Sequence, residues 1–460
     1  MAIAAIGDQG RATARGARSA GVSYQDLLAS DTRETPALLR TESPMPPGVT
    51  KVPAEQYLSR AFHRLEVEKV WKRVWQMACR EEDIPEVGDY IVYDIAQLSF
   101  LVVRVAEHEI RAYHNACLHR GRQLREWDGK RAQEFRCPFH GWTWDITGDL
   151  KEVVCPWDFP DVTAEEYALP QVRVGRWGGF VFINPDQECG SFEDFIGDLP
   201  AHFERWDLSQ RYKQAHVAKY LRCNWKVAQE AFMEAYHVVA THPQILASIG
   251  DSNSQYDVFG NFSRAISPNA TPSPHLKARP DEQAIINALF DLQFGDTPPI
   301  IIPEGKTARE IAAHASREGM RGLIGDAADS FSDAEYMDSF YYTLFPNFHP
   351  WGAFNRITYR FRPNGDDPDT CIMECMLLAP LPPGDRPPSA AIHWLEFDDD
   401  WTRAPELGML ARIFNQDVFN IPKVQIGLKA MKQPEVVFAS YNETKIRHFH
   451  ELLDLWVAAE

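Results

Sequence analysis

The sequence lacks long apolar runs and an excess of positive charge. No stretch approaches the roughly 18 consecutive apolar residues that a bilayer-spanning helix needs. The opening residues, MAIAAIGDQGRATARG, lack the continuous apolar stretch of a secretory signal. The formal net charge of −18 excludes the positive surface that nucleic-acid binders and cationic membrane-surface proteins need. We therefore expect a cytoplasmic protein with a small-molecule or protein partner.

Cysteine is sparse and scattered. Eight cysteines in 460 residues, in a reducing compartment, favour metal ligation over disulfides. The chain is longer than one hydrophobic core usually supports, so two or three domains are expected. Residues 1–50, rich in Ala, Gly, Arg, Ser and Pro, predict a mobile N-terminus followed by an extended arm.

Two Cys/His pairs stand out: Cys117-x-His119 and, seventeen residues later, Cys137-x-x-His140. Four such ligands can hold one zinc ion or one [2Fe–2S] cluster. Zinc sites favour Cys-Cys and His-His pairs, whereas here each turn supplies one thiolate and one imidazole. This pattern favours a cluster with two thiolates on one iron and two imidazoles on the other. A zinc-stabilised ligand-binding protein is the non-enzyme alternative.

The composition of the surrounding segment predicts that these pairs lie on turns of a small β domain. Residues 89–185 are rich in β-branched and aromatic residues broken by turn signals, and Gly121 and Gly141 allow tight turns after each histidine. The motifs CLHRG and CPFHGW resemble those of Rieske domains. Six further cysteines show no pairing and are expected in the core: Cys79, Cys155, Cys189, Cys223, Cys371 and Cys375.

The segment CNWKVAQEAFMEAYHVVATHPQ (223–244) predicts a second metal site. We predict a helix from Asn224 to Thr241, on which Glu230, Glu234, His237 and Thr241 form a polar stripe. A solvated helix face is the simpler interpretation. Because a residue before proline leaves helical conformation, Pro243 ends the helix and lets His242 lie beside His237.

A carboxylate is needed to complete a two-histidine site for Fe(II). Asp417 lies on the apolar face of a helix predicted from Pro405 to Ile421, and a carboxylate aimed into a core is costly unless a cation meets it. The other candidates for this carboxylate, Asp398, Asp399 and Asp400, are predicted to form a solvent-exposed turn. Further helices are predicted over 60–79 and 443–456, and strands over residues 339–384.

Both motifs in chain order, with NWK…E…YH…TH between them and a late helical Asp, resemble the large (alpha) subunit of Rieske non-haem iron oxygenases, the aromatic-ring-hydroxylating family. The resemblance covers about residues 55–455. It implies an α+β fold: a small all-β Rieske [2Fe–2S] domain and a larger catalytic domain of antiparallel sheet packed with helices, of the helix-grip type. The implied divisions are residues 1–50 (arm), 51–180 (Rieske domain with a preceding helix) and 181–460 (catalytic domain), with a lid or insert over 250–335.

The resemblance also implies roles for individual residues. Cys117 and Cys137 would bind one iron of the cluster, and His119 and His140 the other. The mononuclear Fe(II) would be held by His237, His242 and Asp417. Glu234 stands where the family usually has an Asp that bridges the two metal centres. The resemblance therefore implies that Glu234 forms this bridge, with a side chain one methylene longer than usual.

The implied activity is that of a terminal oxygenase that takes NAD(P)H electrons through a reductase, possibly with a ferredoxin, and uses O2 to hydroxylate an aromatic or other hydrophobic substrate. N- or O-demethylation and quaternary-amine monooxygenation are the alternatives. A head-to-tail homotrimer, possibly with a β subunit, is expected to place each cluster beside its neighbour's iron. No nucleic acid or membrane partner is expected.

Two surfaces remain open to interpretation. Basic residues outnumber acidic ones around the cluster motif, which favours either a solvated loop or a dock for an acidic electron donor. Aromatic residues available for a substrate pocket are Phe232, Phe340, Tyr341, Tyr342, Phe345, Phe348, Trp351 and Phe354, most of them expected to be core.

Overall fold

Residues 22–44 and 48–66 form short helices and one strand ahead of the first sheet. The computed structural model describes residues 22–44, 48–290, 300–382, 384 and 386–459. The first elements are α1 (Tyr24–Ala29), α2 (Ala37–Arg40), β1 (Lys51–Pro53), α3 (Glu55–Leu58) and α4 (Arg60–Glu66). Tyr24, Leu28 and Leu39 are buried, and the Gln25 amide donates to Gln255 at 2.8 Å. The predicted mobile, extended arm is therefore wrong for residues 22–44, because their apolar side chains bury against distant parts of the chain. Residues 1–21 and 45–47 lie outside the described residues.

A six-stranded antiparallel sheet, the first sheet, follows. Its order is β2-β10-β9-β5-β4-β3, and a separate three-stranded sheet, β6-β7-β8, lies at the turns of the Cys/His motif. The strands are β2 (Gln76–Arg80), β3 (Tyr90–Ile95), β4 (Leu98–Ala106), β5 (Glu109–His114), β6 (Glu134–Arg136), β7 (Thr143–Asp145), β8 (Leu150–Glu152), β9 (Gln171–Trp177) and β10 (Phe180–Asn184). Cys117 and Cys137 pack in the core of this small unit with Trp142 and Trp144.

The helix predicted over residues 60–79 is too long. After α4 the chain makes a π-helical turn, Val67–Trp71, and residues 76–80 join the first sheet as β2. All five residues of β2 are buried. A strand buried on both faces lacks the polar alternation that would have distinguished it from helix.

An eight-stranded, mostly antiparallel sheet, the large sheet, forms the second half. Its order is β12-β13-β14-β15-β16-β17-β11-β18, and helices α7, α12 and α13 pack around it. From Phe192 to Ser267 the elements are α5 (Phe192–Ile196), α6 (Leu199–His202), β11 (Arg211–Leu221), α7 (Trp225–Glu230), α8 (Val238–Thr241), β12 (Gln255–Phe259) and β13 (Phe262–Ser267). From Glu282 onward they are α9 (Glu282–Leu289), α10 (Ala308–Ile324), α11 (Asp333–Met337), β14 (Ser339–Leu344), β15 (Phe348–Pro350), β16 (Ile357–Asn364), β17 (Asp367–Pro380), β18 (His393–Leu395), α12 (Leu410–Ala430), β19 (Glu435–Val437) and α13 (Thr444–Ala458). The expected α+β fold is confirmed.

Three predictions within this half need correction. The helix predicted over 224–241 is broken into α7 and α8, and the one predicted over 405–421 begins at Leu410 and continues through Pro422 to Ala430. Residues 255–267 of the proposed lid are strands of the large sheet. The lid role stays a prediction for α9, α10 and α11, whose connecting residues 291–299 are not described.

The two sheets pack through buried polar and aromatic contacts. Arg360 on β16 donates to the carbonyls of Met77 and Ala78 on β2, at 2.9 and 2.6 Å, while Glu374 binds its guanidinium. Phe348 packs its ring 4.8 Å from that of Phe180. No helix in the described part of the chain combines the length and apolarity needed to cross a bilayer.

Candidate metal centres

The two Cys/His loops have the same backbone geometry. In each, a glycine amide donates to the cysteine carbonyl four residues earlier, at 2.8 Å for Gly121 and 3.0 Å for Gly141. Both glycines have positive φ, +76° and +80°, a conformation that favours glycine. The sequence prediction of tight glycine turns is therefore confirmed, and the loops present their ligands in matching ways.

The four side chains of these loops converge. The His119 and His140 rings lie 4.6 Å apart, and Trp142 stacks on His119 at 5.2 Å. Burial, together with the neighbouring Cys137 thiol, raises the pKa of Cys117. His119 Nδ1 is buried and has no hydrogen-bond partner among the described residues. A buried polar atom without a partner is costly, so a ligand is the natural occupant of this corner.

Two of the six remaining cysteines depart from the expected core location. Cys79, Cys223, Cys371 and Cys375 are buried, as predicted. Cys189 is only partly buried, and Cys155 is exposed. Cys155 has a left-handed backbone conformation, with φ of +57°, in the loop after β8. This loop lies at the surface, so the thiol is exposed.

The second site brings His237, His242 and Asp417 together. One ligand atom from each lies within 4.8 Å of the others. Asp417 Oδ1 is 2.9 Å from His242 Nε2 and 3.6 Å from His237 Nε2. His242 and Asp417 are buried, while 27% of the His237 side chain is exposed. The buried carboxylate on the apolar face of α12 therefore meets both imidazoles, as the sequence predicted.

The backbone explains how the two histidines meet. His242 follows α8 with φ −124° and ψ 53°, outside helical conformation, and precedes Pro243. Before α8 the chain leaves the helix as well, because the Ala235 amide donates to the Tyr256 hydroxyl at 3.0 Å and the His237 amide to Glu234 at 2.9 Å. The predicted continuous polar stripe is thus not one helix face.

Neighbouring side chains orient both imidazoles. His237 Nδ1 is 2.5 Å from Glu234 Oε1, and His242 Nδ1 is 2.8 Å from Gln416 Oε1. With Nδ1 donating in each ring, Nε2 carries the lone pair and points toward Asp417, at 2.9 Å in His242 and 3.6 Å in His237, which is the side on which a shared metal ion would bind. Although burial lowers it, the Glu234 carboxylate raises the pKa of His237 above its ordinary value. Glu234 contacts His237 as expected, and its contact with His140 of another subunit stays a prediction.

The sequence analysis did not identify Gln416, nor the aromatic residues Tyr359, Phe361 and Phe414 that pack around Phe232. Gln416 adjoins Asp417 in the chain, but nothing in its local pattern indicates a histidine partner 174 residues away. Phe232 packs against the rings of Tyr359, Phe361 and Phe414 at 5.0, 5.4 and 6.0 Å. Five of the eight aromatic candidates are buried in the core: Phe340, Tyr341, Tyr342, Phe345 and Phe348.

Two known protein families match parts of the sequence. The description "Ring hydroxylating alpha subunit (catalytic domain)" matches residues 201–459, and "Rieske [2Fe-2S] domain" matches residues 74–162. The chain belongs to the ring-hydroxylating oxygenase alpha-subunit family. The large sheet is therefore its catalytic domain and the first sheet its Rieske domain, while the exact domain boundaries remain predictions.

Members of this family with differing substrates are similar to the chain. The glycine betaine monooxygenase oxygenase subunit of Pseudomonas aeruginosa is 26% identical over 198 residues, 43% of this chain and 46% of that protein. The anthranilate 1,2-dioxygenase large subunit of Acinetobacter baylyi is 30% identical over 209 residues, 44% of each. These matches span slightly under half the length of each relative.

Two solved oxygenase structures share the fold. A quaternary ammonium Rieske monooxygenase in complex with L-carnitine superposes with a TM-score of 0.61 at 16% identity, covering 90% of this chain and 99% of that one. Naphthalene 1,2-dioxygenase from Rhodococcus sp. bound to indole gives 0.59 at 22% identity, covering 89% and 95%.

The two family matches imply a Rieske cluster and a mononuclear iron as cofactors, and the side chains fit both. Two buried thiols, two close imidazoles and the unpartnered His119 Nδ1 suit a cluster with mixed Cys/His ligation. Two oriented imidazoles and one carboxylate are the donor set of non-haem Fe(II) sites with open coordination positions.

Proposed function

We propose that this chain is the terminal oxygenase component of a Rieske oxygenase system, hydroxylating an aromatic or other hydrophobic organic substrate with O2. The observation that carries the proposal is the convergence of His237, His242 and Asp417, with both Nδ1 atoms held by other side chains. Cys117, His119, Cys137 and His140 would hold the cluster. When bound, the cluster supplies single electrons, and the iron supplies a site for O2 reduction.

The protein's own residues prepare this site. Glu234 and Gln416 keep each imidazole in one tautomer and orientation, and Asp417 supplies negative charge that is costly to bury without a cation. Phe414, which is buried one helical turn before Asp417 on α12, packs its ring 6.0 Å from that of Phe232, so an apolar wall adjoins the carboxylate. Such a wall excludes water from a hydrophobic substrate and limits wasteful side reactions.

A second candidate, quaternary-amine monooxygenation or demethylation, is favoured by specific observations. Tyr359 packs its ring 5.9 Å from that of Phe414 and 6.1 Å from that of Trp351, and such aromatic rings are the groups that bind quaternary ammonium ions by cation–π contact. Proteins named as glycine betaine, choline and carnitine monooxygenases are among the relatives. The substrate assay given below separates the two candidates.

We propose that the chain acts as a homotrimer, possibly with a β subunit, and receives NAD(P)H electrons through a reductase and possibly a ferredoxin. His140 is exposed and neighbours the exposed ring of Phe139, while Tyr236 is exposed beside His237. These apolar surfaces suit a contact between the cluster of one subunit and Glu234 of the next. A solved relative is described in terms of inter-subunit electron transfer.

The loop around the cluster suits an acidic electron donor. Trp127 is 79% exposed, and Arg120, Arg131 and Arg136, which precede and follow it in the chain, are exposed as well. An aromatic side chain flanked by guanidinium groups is typical of protein-binding surfaces. Reduction by the donor is expected to slow as salt concentration rises, because exposed charges are screened.

The function is tested with purified, iron-loaded protein reduced chemically under argon. On addition of O2, product is measured with indole, anthranilate, glycine betaine and L-carnitine as trial substrates, together with formaldehyde release. Hydroxylated product stoichiometric with cluster oxidation is expected from one class, and formaldehyde would assign demethylation. Wild-type activity retained after replacing both His237 and Asp417 with alanine would refute the proposal.

A further inference from the structure

A groove of about 440 Å³ lies against β11 and β17 of the large sheet, next to the start of α12. Its floor is apolar and buried and is formed by Ala215, Leu377 and Leu407. Its rim is polar and exposed and is formed by Gln214, Arg356 and Glu406. The groove is distinct from the mononuclear site, because none of His237, His242 and Asp417 lines it. Its volume and its apolar lining with a few polar groups are those of a small-molecule site.

The two charged side chains of the rim differ in their partners. Among the described residues, none forms an ion pair or a hydrogen bond with the Arg356 guanidinium. Glu406 Oε1, in contrast, is 2.6 Å from His393 Nδ1, and a carboxylate can only accept, so His393 donates to it. The groove therefore presents one cation that is free to pair with a ligand, while its carboxylate already has a partner.

The backbone that carries Arg356 is fixed on both sides. The buried Arg211 guanidinium donates to the carbonyls of Ala353 and Asn355, the latter at 2.6 Å. The Leu378 amide donates to the Arg356 carbonyl at 2.7 Å. Because these contacts hold the strand start in place, an anion that binds Arg356 has to order only one side chain, which lowers the entropic cost of binding.

Gln214 lies at an irregularity of β11. The register of the pairing between β11 and β17 shifts between Lys213 and Ala215, which leaves Gln214 without a partner residue in the ladder. Such bulges turn a side chain away from the regular alternation of a strand, and the Gln214 side chain is exposed at the groove. Its amide nitrogen can donate hydrogen bonds, so the rim offers a neutral donor in addition to the Arg356 guanidinium.

We infer that this groove binds a small organic carboxylate, with Arg356 holding the carboxylate group and the floor covering the apolar body. A guanidinium matches the two oxygens of a carboxylate. A neutral ligand would leave the guanidinium charge unpaired, and an inorganic anion would leave the apolar floor uncovered. The bound molecule would contact Gly408, two residues before α12, the helix that bears Gln416 and Asp417. This binding site goes beyond the proposed function and does not depend on it.

Titration calorimetry of the iron-loaded protein, without reductant, tests the site with benzoate as the probe and benzamide as its neutral counterpart. Benzoate should bind more tightly than benzamide, and Arg356→Gln should weaken benzoate binding at least ~10-fold, the loss expected for a hydrogen bond between charged groups. Arg279→Gln, which removes an exposed arginine outside the groove, is the matched control and should bind benzoate like wild type. Equal affinity of wild type for the two probes, or equal benzoate affinity of wild type and Arg356→Gln, overturns the inference.

Hydrogen–deuterium exchange locates the bound benzoate. Slower exchange is expected at residues 213–215 and 405–409 in wild type, and the protection should be absent in Arg356→Gln at the same benzoate concentration. Protection confined to residues 232–242 would place benzoate at the mononuclear site and would overturn the separate groove site. A protein that binds benzoate in the groove but forms no product in the substrate assay overturns only the proposed function, so the two failures are distinguishable.

Discussion

Replacing Gln416 by Leu should weaken iron binding at the mononuclear site without affecting the cluster. The substitution removes the oxygen that receives His242 Nδ1 at 2.8 Å, so the ring can rotate or carry its proton on Nε2, where it blocks the metal. Loss of such an orienting hydrogen bond typically costs ~10–100-fold in metal affinity, or about 1.4–2.7 kcal/mol. Gln416 is partly exposed, so its removal should change global stability little.

Competition with a ferrous chelator, measured under argon, gives the affinity. Cluster absorbance in the same sample is an internal control, because its four ligands lie on the other domain. Asn420→Leu on the same face of α12 removes only a 3.3 Å contact to Thr241 and should leave the affinity near wild type. An unchanged affinity in Gln416→Leu, or an equal loss of cluster, would show that the amide does not orient His242.

Three further outcomes are expected. Lys226→Met should lower the free energy of unfolding in urea by about 3–5 kcal/mol, because it leaves the buried Glu66 carboxylate without its partner at 2.5 Å. The control Lys51→Met, which breaks the exposed ion pair with Glu435, should change that free energy by under ~1 kcal/mol. Burial lowers the pKa of His202, His216 and His448 to about 4, so these residues stay neutral in the fold while the unfolded chain takes up protons. The contribution of these histidines to the free energy of unfolding should therefore be fully present above the unfolded pKa of ~6.5 and fall as pH drops toward 4. His448→Gln should remove part of that fall relative to wild type, and an identical pH dependence in the two proteins would contradict this. Leu28→Ala should lower the free energy of unfolding by about 2–5 kcal/mol, because Leu28 on α1 is buried in the folded unit. A change near zero would show that residues 22–44 do not pack against the rest of the chain.

The parts of the site that sequence predicted are those fixed by local chemistry. Each Cys/His loop contains its own ligands and its own turn glycine, so a few residues specify it. His242 was placed beside His237 because Pro243 ends the helix locally. Asp417 was found because an acid on an apolar helix face is anomalous wherever the helix packs.

The errors arose where distant residues determine the backbone. Nothing between Asn224 and Thr241 indicates that the Tyr256 hydroxyl will receive the Ala235 amide and end the helix early. Likewise, Leu28 and Leu39 are too widely spaced to predict a helix in isolation, and only tertiary burial orders them. Glu230 was misplaced for the same reason, since its partners Tyr57 and His450 lie 173 and 220 residues away.

The break between α7 and α8 also affects how the ligands are anchored. In the segment 231–237 the Phe232 and Met233 amides make turn bonds to the carbonyls of Gln229 and Glu230, whereas the Ala235 and His237 amides bond to side chains, so the helical ladder is interrupted. Displacement of Tyr256 on β12 would therefore be transmitted to His237 by a single hydrogen bond through Ala235. Substitutions at this edge of the large sheet are therefore expected to change the coordination geometry of the iron, although none of these residues would bind it.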